Sequence, residues 1–429
     1  MVICNYLSGG YFMYKLNSKM EWVKILDDKD MIAKVNKKLD EISNYILKSK
    51  MIHPLGIIGG CNGCLLFLFQ MYQYTKDEKY LENLIVRLNS LCSIMGNVGL
   101  SSFCNGYAGI AWTIRFLYNK KILDIDNINN FLYDVDSRIF KDLLNNVKNY
   151  DFLHGGLGMA YYFLSFESTY SNKALTKFID TLDDTKELDT NGGYMWRSEI
   201  FTKSKSIGLA YNLGMAHGMA SLIVFLSLCV RKGIFVERTL PLLKGLIFFY
   251  LNNKNPDNYV SSYSFWKLIG QNVFSESRLG WCYGDLGIST ALIQASVVLE
   301  DSSLKSYACG LIDKTLKRIS SADEKVTEAN ICHGSSGLSY MYNFFYQITS
   351  DDKYKLASLY WLNETIKKGD GNGAHAGYSL PDAVPEYFNS EHGSYFSLLN
   401  GVSGIGLSLI ASVSNANQSW SDCILLNNC

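Results

Sequence analysis

The chain has 429 residues, of which 48% are hydrophobic, 14% aromatic and 19% charged. That supplies a large core and excludes a disordered protein. Forty Lys and Arg balance forty Asp and Glu, which argues against a generic electrostatic binder of nucleic acid or anionic membrane.

Five Pro against 35 Gly point to helices joined by glycine turns. Eleven Cys at irregular spacing argue against a disulfide framework and for a reducing compartment. The opening MVICNYLSGGYFMYK has neither a basic start before an apolar run nor a small-residue cleavage site, so no secretory signal is expected. Residues 29–50 follow, with Met31, Ile32, Val35, Leu39, Ile42, Tyr45 and Ile46 at three- and four-residue spacing and charges between them. This is the pattern of a half-exposed outer helix.

GGCNGCLLFLF then opens a series of seven segments in which a small residue, two intervening positions and a second small residue precede an apolar run. The others are CNGYAGIAWTIRFL, LHGGLGMAYYFL, AHGMASLIVFL, CYGDLGISTALI, CHGSSGLSYMYNFF and LNGVSGIGLSLI. Their second small residues are Gly63, Gly109, Gly158, Ser221, Gly287, Gly337 and Gly404, about 57 residues apart on average, which is room for two helices and a connection. Between the third and fourth segments, 188–205 reads as a loop. Residues 206–230 carry no Lys, Arg, Asp or Glu and are long enough to span a bilayer. Gly208, Asn212, Gly214, His217 and Gly218 interrupt the first half, and a protein-buried helix explains the second.

Residues 252–280 and 369–398 read as further loops, and 301–319 as an outer helix with Leu304, Ala308, Leu311 and Ile312 on one stripe and Asp301 as its N-cap. Outer helices alternating with inner helices that are apolar all round predict an all-α fold, an α/α-toroid of seven helix pairs in a single domain over 1–429. Its inner helices should surround a central cavity, with glycines at their N-termini leaving free N–H groups toward it. The long loops belong on one rim, where substrate contacts are expected.

The repeats differ just before the shared glycine, where they carry Asn62, Asn105, His154, His217, Tyr283, His333 and Asn400, with Cys282 and Cys332 one residue earlier in the fifth and sixth. Superposed repeats bring these to one end of one cavity. Cys282, Cys332 and His333 then form a three-ligand set with a fourth position open, as in catalytic zinc sites. On spacing alone the thiols are equally well core residues. Cys61-Asn62-Gly63-Cys64 reads as core packing, His154 as exposed to the cavity, His375 and His392 as loop histidines, and Cys423 and Cys429 as incidental.

GWCYGDLG at 280–287, ICHGSSGL at 331–338, AHG at 216–218 and the GxxG repeats together resemble the lanthionine synthetase C-like family, the cyclases that make thioether rings in lantibiotics. The resemblance extends over essentially the whole chain, to the segment around Trp420 and Asp422. It implies a Zn2+ ion held by Cys282, Cys332 and His333, with His217, Asp151 and Arg278 as catalytic residues. Leu286, where relatives often carry proline, and Ser221, where they carry glycine, depart from the pattern in the scaffold and leave the ligands untouched.

The implied reaction is addition of a peptide cysteine thiol to dehydroalanine or dehydrobutyrine in a dehydrated precursor peptide. A thiolate-rich zinc suits holding an incoming thiol as thiolate. The enolate that develops must be protonated at Cα, with His217 as the acid, Asp151 taking the thiol proton or steering His217, and Arg278 orienting Asp151. The length leaves no room for a fused dehydratase, so a separate dehydratase partner is expected, along with an exporter complex that would associate a cytoplasmic protein with the membrane; no nucleic-acid partner is expected. The alternatives are addition of glutathione or another small thiol to dehydroamino acids, and a non-catalytic zinc-containing peptide-binding scaffold.

Overall fold

The computed structural model describes residues 21–49, 55–202, 205–270, 273–318, 324, 326–380 and 393–426. Among the described residues seven outer helices, α1 (Lys29–Lys48), α3 (Glu78–Ile94), α5 (Tyr133–Asn146), α7 (Ser171–Thr185), α9 (Val236–Asn252), α11 (Ser302–Leu316) and α13 (Asp352–Gly369), surround seven inner ones. The inner helices are α2 (Gly63–Thr75), α4 (Tyr107–Asn119), α6 (Gly156–Ser165), α8 (Met219–Arg231), α10 (Asp285–Val298), α12 (Ser335–Thr349) and α14 (Val402–Val413). Each inner helix therefore begins inside one of the seven glycine motifs. The last of them, α14, packs on the first, α2, and on α1, so the ring closes into an α/α-toroid.

The two helix classes differ as their sequences require. Outer helix α1 buries Val35, Leu39, Ile42 and Ile46 on one stripe. Inner helix α10 buries every residue from Asp285 to Ser296. Asp28, Asp77, Asp301 and Asp351 cap outer helices through their side chains, Asp301 accepting the Leu304 N–H at 2.9 Å. The inner helices start without side-chain caps. Contrary to expectation, the first N–H groups of α4, α6 and α12 are not left open to a cavity, because the chain folds back over these starts. Tyr107 N–H donates to the Leu100 carbonyl at 3.0 Å, Gly156 to Asn149 at 2.8 Å and Ser335 to Glu328 at 3.0 Å.

This return path explains the shared glycine. A Cβ on Gly109, Gly158, Gly337 or Gly404 would lie 2.1, 2.1, 2.0 or 1.9 Å from the carbonyl oxygen of Phe103, Phe152, Ile331 or Leu398, six residues earlier in each case. Ser221 is accommodated in the fourth repeat, where its hydroxyl donates to the Gly218 carbonyl at 2.6 Å.

The turns before the inner helices are stitched to one another by backbone hydrogen bonds. Ile58 N–H donates to Cys104 (3.2 Å), Cys104 to Leu153 (2.9 Å), Ala216 to Cys282 (3.2 Å), Trp281 to Cys332 (2.9 Å), Cys332 to Leu399 (3.2 Å) and Leu399 back to Ile58 (2.9 Å). Among the described residues the one step without such a bond runs from Leu153 to Ala216. There the Leu153 N–H donates instead to the Asp151 carboxylate at 2.7 Å.

The middle of the ring is filled rather than hollow. The C-terminal segment runs into it, burying Trp420, Cys423 and Ile424–Leu426. Its carbonyls accept from Trp281 Nε1 (Ile424, 2.7 Å), Gln294 Nε2 (Leu425, 2.9 Å) and Tyr161 OH (Asp422, 2.6 Å). At the other terminus Trp22 Nε1 donates to the Ala411 carbonyl at 2.8 Å.

Two of the expected loops contain small antiparallel sheets. β1 (Glu187–Leu188) pairs with β2 (Tyr194–Met195), and β3 (Ser198–Thr202), β4 (Lys205–Asn212) and β5 (Trp266–Leu268) form a sheet in that order. The uncharged 206–230 stretch is therefore strand β4, a turn and helix α8. Among the described residues no helix is long and apolar enough to cross a membrane. Residues 381–392 of the third loop, with His392, lie outside the described residues, as do Cys429 and the first twenty residues.

Candidate active site and metal centre

In the third to sixth repeats the turn before the inner helix buries its early residues and turns the next one outward, whereas Asn62 of the first repeat is buried and donates to the Leu55 carbonyl instead of facing the cavity. His154, His217, Tyr283 and His333 are exposed or half-buried at this position, while Leu153, Ala216, Cys282 and Cys332 just before them are buried. A cavity of about 1010 Å³ opens at this end of the ring, and Asp151, His154, His217, Asn212 and Tyr283 line it. Gly284, which follows Tyr283, has φ +91° and a Cβ there would lie 2.3 Å from the Arg278 carbonyl, so only glycine turns the chain from Tyr283 into α10.

Cys282, Cys332 and His333 come together from the fifth and sixth repeats, with their donor atoms within 4.8 Å of one another. His333 Nδ1 faces the Cys282 Sγ at 4.0 Å. The hydrogen bond from Cys332 is the largest of the influences that hold the Cys282 thiol well below its usual range. The same bond is the largest of the influences that raise the Cys332 thiol well above it. Burial works to lower the pKa of His333, yet its bonds to Cys282 and Glu328 prevail and raise it to about 9. Two buried sulfurs and a half-buried imidazole, convergent on one point, are the donors zinc prefers. The residues present therefore fit that ion.

Beside this set, His217 Nδ1 lies 2.8 Å from Asp151 Oδ2. The other carboxylate oxygen, Oδ1, accepts the N–H groups of Leu153 (2.7 Å) and His154 (2.9 Å), so Oδ2 is left for the imidazole. Burial favours neutral His217, but the Asp151 charge and hydrogen bond and the Cys282 thiolate together raise its pKa above the ordinary 6.5. Burial likewise pushes Asp151 up, and His217 together with His154 more than reverses it, leaving the carboxyl below 3.8. His154 stacks on His217 with ring centroids 5.7 Å apart. Its pKa is lowered, first by burial.

Arg278 is not placed as expected. It is exposed, with its guanidinium 5.8 Å from the Phe265 ring centre, and no hydrogen bond or ion pair joins it to Asp151 among the described residues. Backbone amides orient that carboxylate instead. The Arg278 charge acts on Cys282, Cys332 and Glu328. His375 is likewise no free surface histidine, since its Nδ1 lies 2.7 Å from Tyr45 OH and its ring stacks on Tyr395. Cys61 and Cys64 are buried, in keeping with core packing.

The family model described as Lanthionine synthetase C-like protein matches residues 51–425. The chain belongs to the lanthionine synthetase C-like family. Within this family it is similar to the Nisin biosynthesis protein NisC of Lactococcus lactis subsp. lactis, at 25% identity over 368 residues, covering 80% of this chain and 83% of that protein. Among solved structures it is similar to one titled Nisin cyclase, with a TM-score of 0.69 at 20% identity, covering 93% of this chain and 98% of the other. This second likeness bears on the toroid fold alone.

Sequence reasoning on this lanthionine synthetase C-like chain missed Glu328, whose Oε2 lies 3.2 Å from His333 Nε2. The signal was an acid five residues before a candidate metal-ligand histidine, inside the turn that enters the same helix. It also gave no role to Tyr283, whose hydroxyl accepts from Asn212 Nδ2 at 3.2 Å and whose pKa burial pushes up to about 12.

Proposed function

We propose that this protein is a zinc-dependent lanthionine cyclase that adds cysteine thiols of a dehydrated precursor peptide to dehydroalanine or dehydrobutyrine in the same chain. The observation that carries the reading is the meeting, at one end of the ring, of the Cys282, Cys332 and His333 set with the Asp151–His217 pair. Cys282, Cys332 and His333 would hold the zinc, which when bound supplies a Lewis-acidic centre that keeps an incoming thiol ionised at neutral pH.

The residues around that centre handle the proton. In the addition an S–Cβ bond forms, the C=C π bond breaks, and the electron pair passes onto the carbonyl as an enolate. His217, whose pKa Asp151 raises against the effect of burial, donates to Cα the proton on Nε2, the nitrogen left free by the Nδ1–Asp151 contact. Asp151 keeps the imidazole in that orientation and stabilises its charge, which favours the steering role over direct handling of the thiol proton. The proton lost from the thiol replaces, by way of solvent, the one that His217 gave.

A cavity of about 1010 Å³ lies at the upper end of ligand pockets and supports a peptide segment as substrate rather than a free small thiol. The free, buried thiols of Cys64, Cys104 and Cys229 support a reducing, cytoplasmic setting. A separate dehydratase must supply the substrate, and an exporter complex would remove the product.

Mass spectrometry tests the reaction. A dehydrated precursor incubated with the protein and then with a thiol-blocking reagent is expected to keep its mass and to lose its blockable thiols. With excess glutathione present, the rings should still form. Glutathione adducts in place of rings would favour the small-thiol reading, and thiols that remain fully blockable would contradict both enzymatic readings.

A further inference from the structure

His333 has two ring nitrogens, and the structure puts them in different company. Nδ1 faces the Cys282 sulfur. Nε2, on the opposite edge of the ring, faces Glu328 Oε2 at 3.2 Å. Glu328 is thus behind the imidazole as seen from the thiols, and it is not among the convergent donors. We propose that Glu328 is a positioning residue for the metal centre. Its carboxylate accepts the Nε2–H of His333, fixes the tautomer, and presents Nδ1 as the metal-facing nitrogen. The inference rests on the zinc reading above and extends it to a residue outside the ligand set.

The local chain is built to hold this contact. The Glu328 carbonyl accepts the Ser335 N–H at 3.0 Å, the Ala329 carbonyl that of Ser336 at 3.2 Å, and the Asn330 carbonyl that of Gly334 at 3.1 Å. Residues 328–330 are thereby tied to the start of α12. The side chain of buried Asn330 then works in both directions, its Nδ2 donating to Glu328 Oε2 and its Oδ1 accepting the His333 N–H at 3.1 Å. Acid, amide and imidazole form one closed network within six consecutive residues, so the ring plane is set before any ion arrives. A carboxylate on the remote N–H also makes the metal-facing nitrogen a better electron donor, and loss of such partners typically costs roughly 10–100-fold in metal affinity.

The experiment measures zinc affinity, by competition with a chromophoric chelator, on the full-length protein and on Glu328→Gln, Glu328→Ala, His333→Ala and the double variant Glu328→Ala/His333→Ala. Wild type should bind most tightly. Glu328→Gln keeps an acceptor but not the charge and should be weaker, and Glu328→Ala weaker still, by about 10–100-fold. If Glu328 acts through His333, its removal should change affinity little once His333 is gone. The melting temperature of each zinc-free variant reports any damage to the turn itself. Glu328→Ala binding zinc as tightly as wild type, or an equal loss in both backgrounds, would overturn the inference while leaving the zinc reading intact. Wild type that binds no zinc would overturn both.

Discussion

At the scale of single residues, the Asp151–His217 contact occupies the one place, among the described residues, where the stitching between repeats is interrupted. Leu153 gives its N–H to Asp151 rather than to the next turn, and the step to the fourth repeat is bridged by side chains instead of backbone. That bridge costs a backbone hydrogen bond and yields a carboxylate with one oxygen fixed and one free to hold an imidazole. His217→Ala is therefore expected to keep its zinc and its fold and to lose roughly 10²–10⁴-fold in ring formation. Zinc content, melting temperature and rate, all measured on that one variant, check this. A drop in stability with an unchanged rate per folded molecule would make His217 a packing residue, and loss of zinc would make it a ligand. Spacing in the chain could place Asp151, His217 and Arg278 at the same end of a ring but could not say which way each side chain turns. This is why the backbone amides, and not Arg278, hold Asp151.

At the scale of elements, the seven inner helices were legible because close approach of each helix start to a carbonyl six residues back leaves no room for a Cβ. That steric demand writes a glycine into the chain at nearly every repeat. The strands were not legible. β4 is a short run containing Gly208, only a six-residue turn separates it from the apolar α8, and one of its two partners, β5, lies more than fifty residues further on. Glu328 was missed for a similar reason, since its meaning depends on how a turn folds back over a helix. The inserted sheets stand outside the helical ring, and the Asp189–Gly192 turn between β1 and β2 is largely exposed. Limited proteolysis should cut there, or within 369–398, before it cuts any helix of the ring. First cuts inside α8 or α10 would contradict this arrangement.

At the scale of the whole molecule, closure accounts for both the core and the site. No helix pair can bury an inner helix that is apolar all round, so each repeat depends on its neighbours, and we propose that residues 1–429 act as one domain. The contact of α14 with α2 and α1 and the buried C-terminal segment complete the burial. The same closure brings Asp151, His217, Cys282 and Cys332, from four successive repeats, to one end. The central claim is that this end is a metal-dependent catalytic site, and elemental analysis of freshly purified protein tests it most directly. One zinc per chain is expected in the wild type and a marked loss in Cys332→Ala; absence of zinc from the wild type, or an undiminished content in the variant, would contradict the account.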